Sequence, residues 1–298
     1  MEQIARGVVV IPMSIPNAYL VGDAQNWVLV DSGTPGHEKT IKEAAEAHFG
    51  PGAKPRGIVL THGHFDHAGS SPELAAMWNV NVYAHKLELP YLTGKSKYPP
   101  LDTSAPGAFS FLARFMPSRT VNLGSRVREF DGNLSAFGVS GWEAIHTPGH
   151  APGHFCFFRG DGSVLLAGDA ISTMNVDSAL SLITRKQEVS RPPTPANYDW
   201  QQCRESVKKL ARLKPSVVAA GHGTPMRDAA AQLQALADHF PIPEYGRYVH
   251  QPARVDETGI VYLPPRPPDR LVRGTVGVSA AAAAVGVATL LLYKPKRP

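Results

Sequence analysis

Thr61-His62-Gly63-His64-Phe65-Asp66-His67 is the stretch that decides how this chain is read. Three histidines and an aspartate fall within six residues, directly after the apolar run 57–60. A polar surface loop has no need of so many metal-type donors in so short a span. In extended backbone, side chains at i, i+2 and i+4 fall on one side. That would turn His62, His64 and Asp66 toward one cleft, with His67 brought round where the chain turns. Imidazole and carboxylate are the ligands that zinc and its first-row neighbours accept. Gly63, lacking a side chain, would let the loop approach a metal closely.

Three distant residues extend the pattern. His150 closes His146-Thr147-Pro148-Gly149-His150, Asp169 follows Gly168, and His222 sits between Gly221 and Gly223. Each comes at or just past the end of an apolar, strand-like run, where a loop projects into a shared cleft, and each lies beside glycine. One such residue alone is more often structural; three in equivalent places point to a common site. His146 and His154 bracket His150. Both could pass for ligands. Tyr91, Tyr98 and His85 are candidates for the pocket lining, with an ordinary core role as the alternative.

Outward from these motifs the chain alternates strand-like and helix-like stretches. Residues 8–12, 18–21, 27–30, 57–60 and 80–84 are apolar and β-branched. Residues 39–49 place Ile41, Ala44, Ala45 and His48 at helical spacing, ended by Gly50-Pro51, and 72–78 also reads as helix. In the second half, 142–145, 155–158 and 164–167 read as strands, with a hairpin at Gly160-Asp161-Gly162. Helices at 199–213 and 229–240 flank a strand at 216–220. Two strand blocks, each followed by helices, fit an α/β sandwich of two sheets packed face to face with helices outside. Periodicity leaves the connectivity open. Residues 91–120 break the pattern with Pro99, Pro100, Pro106 and Pro117 and the apolar Phe109, Phe111, Leu112 and Phe115. A long irregular segment inside an enzyme is usually a lid or a substrate-binding insertion. Burying each such side chain is worth about 1.5–3 kcal/mol, so all four are expected against the cleft or the body of the protein.

The 298 residues, 43% hydrophobic and 18% charged, suit one large globular domain or two modest ones. The net charge of +5 is mildly basic, with the basic residues scattered until Arg266, Arg270, Arg273, Lys294, Lys296 and Arg297. The body carries no basic stripe interleaved with aromatics, so no nucleic-acid partner is expected. Cys156 and Cys203 are too far apart for a disulfide framework or a metal motif and read as buried free thiols. Met1 to Arg6 include an acid and no apolar run, which argues against a signal peptide and for a cytoplasmic catalytic part. Residues 1–263 form the expected catalytic domain, followed by a Pro-rich basic linker at 264–274. Residues 275–293 carry no charge; about 20 helical residues rise roughly 30 Å, enough to cross a bilayer core. This is a candidate C-terminal membrane anchor ahead of a basic tail at 294–298. Against spanning, alanine is only weakly apolar and Gly277 and Gly286 lower helix propensity; the alternative is a helix lying against the domain or a loosely ordered tail.

With these residues in hand, the chain resembles the metallo-β-lactamase-fold hydrolases, and within them the glyoxalase II and lactonase-like branch. The resemblance spans roughly 5–240 and is carried by His62-Gly63-His64-Phe65-Asp66-His67, His150, Asp169 and His222, in the family's order. It implies two mixed β-sheets sandwiched between helices, with the site along one edge. It also implies that His62, His64 and His150 hold one divalent metal, that Asp66, His67 and His222 hold a second, and that Asp169 bridges both. That seven-residue, two-metal set makes His146 and His154 structural neighbours rather than ligands. Asp31, in Leu29-Val30-Asp31-Ser32-Gly33, matches a position near the site that is not a ligand. Zinc is the expected metal, with iron or manganese as the other candidates.

Departures from the family narrow the function. Zinc β-lactamases commonly have Cys where Asp169 stands, and acyl-homoserine lactonases usually place Tyr where Ser172 stands. The basic glutathione-binding residues of glyoxalase II find no match in 229–263, and no nuclease-type arm is present. The expected reaction is cleavage of an ester, thioester or lactone bond in a small acyl substrate by a hydroxide shared between two cations about 3.5–4 Å apart. Asp66 would pass a proton to the leaving group, and Asp169 would keep both ions at working distance. No Ser-His-Asp or Cys-His signature supplies a protein nucleophile. An iron-dependent dioxygenase or oxidoreductase on the same fold is the alternative.

Overall fold

A computed structural model describes residues 1–116 and 120–267. In its first half β1 (Glu2–Ala5), β2 (Val8–Pro12), β3 (Asn17–Gly22) and β4 (Trp27–Val30) make an antiparallel meander. Strands β5 (Ile58–Val59), β6 (Val82–Ala84) and β7 (Val127–Glu129) continue it in parallel, so a seven-stranded sheet runs in sequence order. The second half contributes β8 (Trp142–His146), β9 (Phe155–Arg159), β10 (Val164–Gly168), β11 (Val217–Ala220) and β12 (Met226–Arg227). Their spatial order is β12-β11-β10-β9-β8, antiparallel except between β10 and β11. A separate hairpin joins β13 (Arg254–Asp256) to β14 (Gly259–Tyr262).

The strands read as nearly unbroken apolar runs because both of their faces are covered. In β2, Val8 and Val10 enter the layer between the sheets, while Val9 and Ile11 enter the layer under the helices. In β10, Val164 and Leu166 point inward, and Leu165 and Ala167 point outward. Helix α1 (Glu38–Phe49), the single turn α2 (Phe65–Ala68) and α3 (Ser71–Trp78) follow β4 and β5. Ile41, Ala45, Leu74 and Trp78 of α1 and α3 pack on Trp27 and Leu29 of the first sheet. Short helices α4 (Leu89–Leu92), α5 (Ala108–Leu112) and α6 (Ala179–Thr184) lie in the connections, and α7 (Trp200–Ala211) and α8 (Ala230–Asp238) cover the second sheet. Asp199 starts α7 by accepting from the N–H groups of Gln201 and Gln202, each at 3.0 Å. The result is the expected sandwich of two mixed sheets between helices. Strands β1, β7, β12, β13 and β14 are absent from the sequence reading because most of their residues are exposed or only partly buried, so they carry no apolar run.

One edge of the sandwich is stapled. The Asn17 N–H donates to the Gly221 carbonyl at 2.8 Å, and the Tyr19 hydroxyl donates to the Ala220 carbonyl at 2.6 Å. These bonds tie the end of β11 in one sheet to β3 in the other, and so fix where the chain leaves toward His222.

The 91–120 segment corrects one expectation. Phe109, Phe111 and Leu112 are half-buried, but Phe115 is 73% exposed. Ser110 and Ala113 face inward on this turn of chain, which leaves Phe115 on the outside, touching the Phe111 ring edge-on at 5.7 Å. Cys156 and Cys203 are buried free thiols, as expected. Among the described residues no helix is long and apolar enough to cross a membrane. The candidate anchor 275–293, the basic tail 294–298 and the linker beyond residue 267 lie outside the described residues.

Leu92→Ala, at a fully buried side chain of α4, is expected to cost about 2–5 kcal/mol. Phe115→Ser should change stability by no more than about 0.5 kcal/mol. Urea unfolding of both variants checks the contrast; a large loss from Phe115→Ser would mean that the side chain is covered.

Candidate metal centre

Beyond β5, Leu60 and Thr61 carry the chain to the sandwich edge. His64 is still extended (φ −61°, ψ 151°), but the helical turn α2 begins at Phe65. Asp66 therefore does not continue the extended face of His62 and His64, which corrects the reading from alternation. The turn sorts the donors into groups. Ligand atoms of His62, His64 and His150 lie within 4.8 Å of one another, as do those of Asp66, His67 and His222. The His62 Nε2 and His64 Nδ1 atoms are 3.0 Å apart, and His64 Nδ1 is 3.0 Å from His150 Nε2. In the other group, Asp66 Oδ2 stands 3.4 Å from His222 Nε2 and 3.9 Å from His67 Nε2. Asp169 lies between the groups: Oδ1 is 3.4 Å from His67 Nε2, and Oδ2 is 3.4 Å from His150 Nε2 and 3.1 Å from His222 Nε2. All seven sequence-predicted residues meet here.

This donor set fits cations. His64 Nδ1 lies within hydrogen-bond distance of an imidazole nitrogen of both His62 and His150. His67 Nε2 and Asp169 Oδ1 are buried and have no hydrogen-bond partner among the described residues. Buried polar atoms in native proteins are almost always paired, and nitrogen and carboxylate donors at this spacing suit zinc or iron.

Most of the rings are braced on the nitrogen that points away from the centre, as ligating histidines generally are. His67 Nδ1 is 2.8 Å from Asp31 Oδ2, His62 Nδ1 is 3.1 Å from Thr61 Oγ1, and His150 Nδ1 is 3.2 Å from Asn197 Oδ1. His222 Nδ1 is 3.2 Å from the Ile15 carbonyl. Asp31 also accepts from the Thr61 N–H and hydroxyl, each at 2.8 Å. Its φ of 59° is unusual for a residue other than glycine and places the carboxylate beneath the loop. The non-ligand readings of His146 and His154 agree with the geometry. His154 Nε2 accepts the Asp169 N–H at 2.9 Å, while His146 turns to the Pro152 carbonyl and stacks on His85 at 4.5 Å.

Two glycines explain themselves differently. A Cβ on Gly221 would collide with the Asp169 carboxylate and the His67 ring, so this glycine does admit the site. A Cβ on Gly63 would instead meet the Tyr98 hydroxyl and Leu92. Gly63 thus makes room for the 91–120 segment rather than for a metal.

Sequence reasoning missed Asn197, Ile15 and Glu88. Glu88 is fully buried; Oε2 accepts the Gly63 N–H at 2.8 Å and the Tyr98 hydroxyl, and Oε1 accepts the Gly153 N–H at 2.6 Å. Its only sequence signal is an acid among Leu87, Leu89 and Pro90, which equally suits a solvated helix start. Tyr98 lies with its ring 4.5 Å from that of His64 and stacks on Tyr91 at 4.1 Å.

Charge divides the site in the same way as geometry does. Burial, then the neighbouring imidazoles, hold His62 and His64 well below the usual histidine range; burial also lowers His150, against the pull of Asp169. Burial would lower His67 too, but the carboxylates of Asp169, Asp31 and Asp66 overcome it and hold that ring well above the usual range. His222 is raised against burial by Asp169 and Asp66. Asp169, which burial alone would raise, is held well below the carboxylate range by His222 and His67. Burial likewise raises Glu88, opposed by its three donors.

Residues 12–222 match the profile of the Metallo-beta-lactamase superfamily, and the chain belongs to that family. With its relatives, this places the chain in a metallo-hydrolase family and implies divalent metals at the His/Asp cluster. It is 38% identical over 242 residues to a probable metallo-hydrolase, YflN of Bacillus subtilis, covering 79% of this chain and 92% of the relative. It is 26% identical over 156 residues to the hydroxyacylglutathione hydrolase GloC of Haemophilus influenzae, covering 50% of this chain and 63% of the relative. Among solved structures it is similar to TTHA1623 in a di-iron-bound form, with TM-score 0.51 and 26% identity over 78% of this chain and 99% of that one.

Asp31→Asn would turn an amide NH2 toward groups that themselves donate. It should weaken the metal affinity of the half containing His67 by about 10–100-fold, read by competition with a chelator. Unchanged affinity would show that Asp31 serves the Thr61 turn alone.

Proposed function

We propose that this chain is a binuclear metallohydrolase that cleaves an ester, thioester or lactone bond of a small acyl substrate, with zinc in both positions. The observation that carries this reading is the pair of three-residue donor sets with Asp169 between them. His62, His64 and His150 would hold one ion, Asp66, His67 and His222 the other, and Asp169 both. Bound there, two divalent cations supply Lewis acidity and a water of lowered pKa.

The chain's own residues do the rest. Asp169 fixes the spacing of the two sets, and Asp31 and Asn197 keep the His67 and His150 rings aimed inward. Asp66 is partly exposed, so a carboxylate oxygen is within reach of solvent and of a leaving oxygen or sulfur, to which it can hand a proton. The half-buried Phe109, Phe111 and Leu112 give the 91–120 segment an apolar side suited to an acyl group. The likeness to GloC, a hydroxyacylglutathione hydrolase by name, supports a thioester within this range and a place in the glyoxalase II-like branch. A second reading, iron in place of zinc with dioxygenase or oxidoreductase chemistry, takes its support from the di-iron form of TTHA1623.

Elemental analysis of purified protein should find close to two metals per chain, and a strong chelator should abolish hydrolysis of an ester, thioester and lactone panel until zinc is restored. Activity that survives complete metal removal would defeat the proposal; iron content with oxygen uptake would favour the second reading. Asp169→Ala should remove more activity than His222→Ala, because it loosens both ions. The opposite order would take the bridging role from Asp169.

A further inference from the structure

Glu88 is a fully buried carboxylate with no part in the donor set. A buried charge is costly unless its oxygens are satisfied. Among the described residues no lysine or arginine pairs with it. Its partners are three neutral donors: the Gly63 N–H, the Gly153 N–H and the Tyr98 hydroxyl. A carboxylate accepts at both oxygens and donates at neither, so it alone among side chains of this shape suits three donors at once.

The place of those donors is informative. Gly63 lies between His62 and His64, and Gly153 lies three residues after His150. One carboxylate thus spans the two loops that carry the three histidines of one half. His64 also differs from the other histidines of the site: its hydrogen-bond-distance neighbours among the described residues are His62 and His150, with no outer brace. The Tyr98 ring lies edge-on against the His64 ring at 4.5 Å, and its hydroxyl also accepts the Gly63 N–H at 3.0 Å. The other half is held separately, through Asp31 on His67 and the Ile15 carbonyl on His222.

We propose that Glu88 is a positioning residue that presets the His62, His64 and His150 half for its metal ion, with Tyr98 as its partner from the 91–120 segment. This rests on the metal-binding reading of the cluster. It makes the two halves unequal in what they depend on: the first needs the insertion docked through Tyr98, and the second does not.

The test is zinc titration of the metal-stripped full chain, with bound metal counted by elemental analysis and apo-protein melting followed in parallel. Wild type should take up two zinc ions. Glu88→Gln keeps the shape but faces an amide N–H with a donor; it should weaken one binding step about tenfold or more and leave the other. Tyr98→Phe, which keeps the ring and removes one donor, should shift the same step less. To assign the step, Glu88→Gln is combined with His222→Ala, which should leave both halves weak, and with His64→Ala, which should bind no worse than His64→Ala alone. Equal weakening of both steps, or a lower melting temperature with both affinities unchanged, would reduce Glu88 to a structural role and overturn the proposal. So would loss confined to the half containing His222, or wild-type binding in both variants. A wild type that binds no zinc, iron or manganese would instead bring down the metal reading, and this proposal with it.

Discussion

The Asp169 carboxylate, buried between two groups of imidazoles, is the contact on which the rest of the site depends. It touches His67 on one oxygen and His150 and His222 on the other. Its loop can stand there only because β10 and β11 end together and Gly221 has no side chain to fill the space. The His154 ring, accepting the Asp169 N–H, holds the same loop from behind. Without that carboxylate the two donor sets would still touch where the His62 and His67 rings lie 4.2 Å apart, but no ligand atom would stand between them.

Holding so many titratable groups out of water demands a stiff frame. A buried polar network favours a unique arrangement only when its members are satisfied, and here the satisfaction is arranged in layers. The inner atoms face one another; the outer nitrogens meet Asp31, Thr61, Asn197 and the Ile15 carbonyl. Those braces come from the ends of β4 and β5, from the turn between β2 and β3, and from the connection before α7. The sandwich therefore acts as the template, and the hydrogen bonds from Asn17 and Tyr19 across its edge keep the two sheets in register at the site.

The two halves are nevertheless different environments. Burial and then the neighbouring imidazoles keep protons off His62 and His64, whereas carboxylates around His67 and His222 outweigh burial and attract them. The asymmetry follows from the backbone. The turn of α2 carries Asp66 and His67 away from the extended segment that holds His62 and His64. The insertion then closes on the extended side alone, through Tyr98 and Glu88.

What the sequence determined by itself was the ligand inventory and the layer plan. Seven donors were legible because a metal site needs particular residue types beside strand ends. Two strand blocks, each followed by helices, made the layer plan compatible with a sandwich, and the family resemblance supplied the fold itself. The resemblance to a known family supplied the pairing of the donors, which spacing could not. Only the tertiary structure decided that Asp66 leaves the extended face, that Phe115 points to water, that Gly63 serves Tyr98, and that Glu88 lies beneath the histidine loops. The braces on the rings likewise depend on partners far away in sequence: Asn197 is 47 positions from His150, and Ile15 is 207 from His222. Local spacing governs which side chains share a turn or a strand face. Which of them meet across such distances is set by how the two sheets close over a common core.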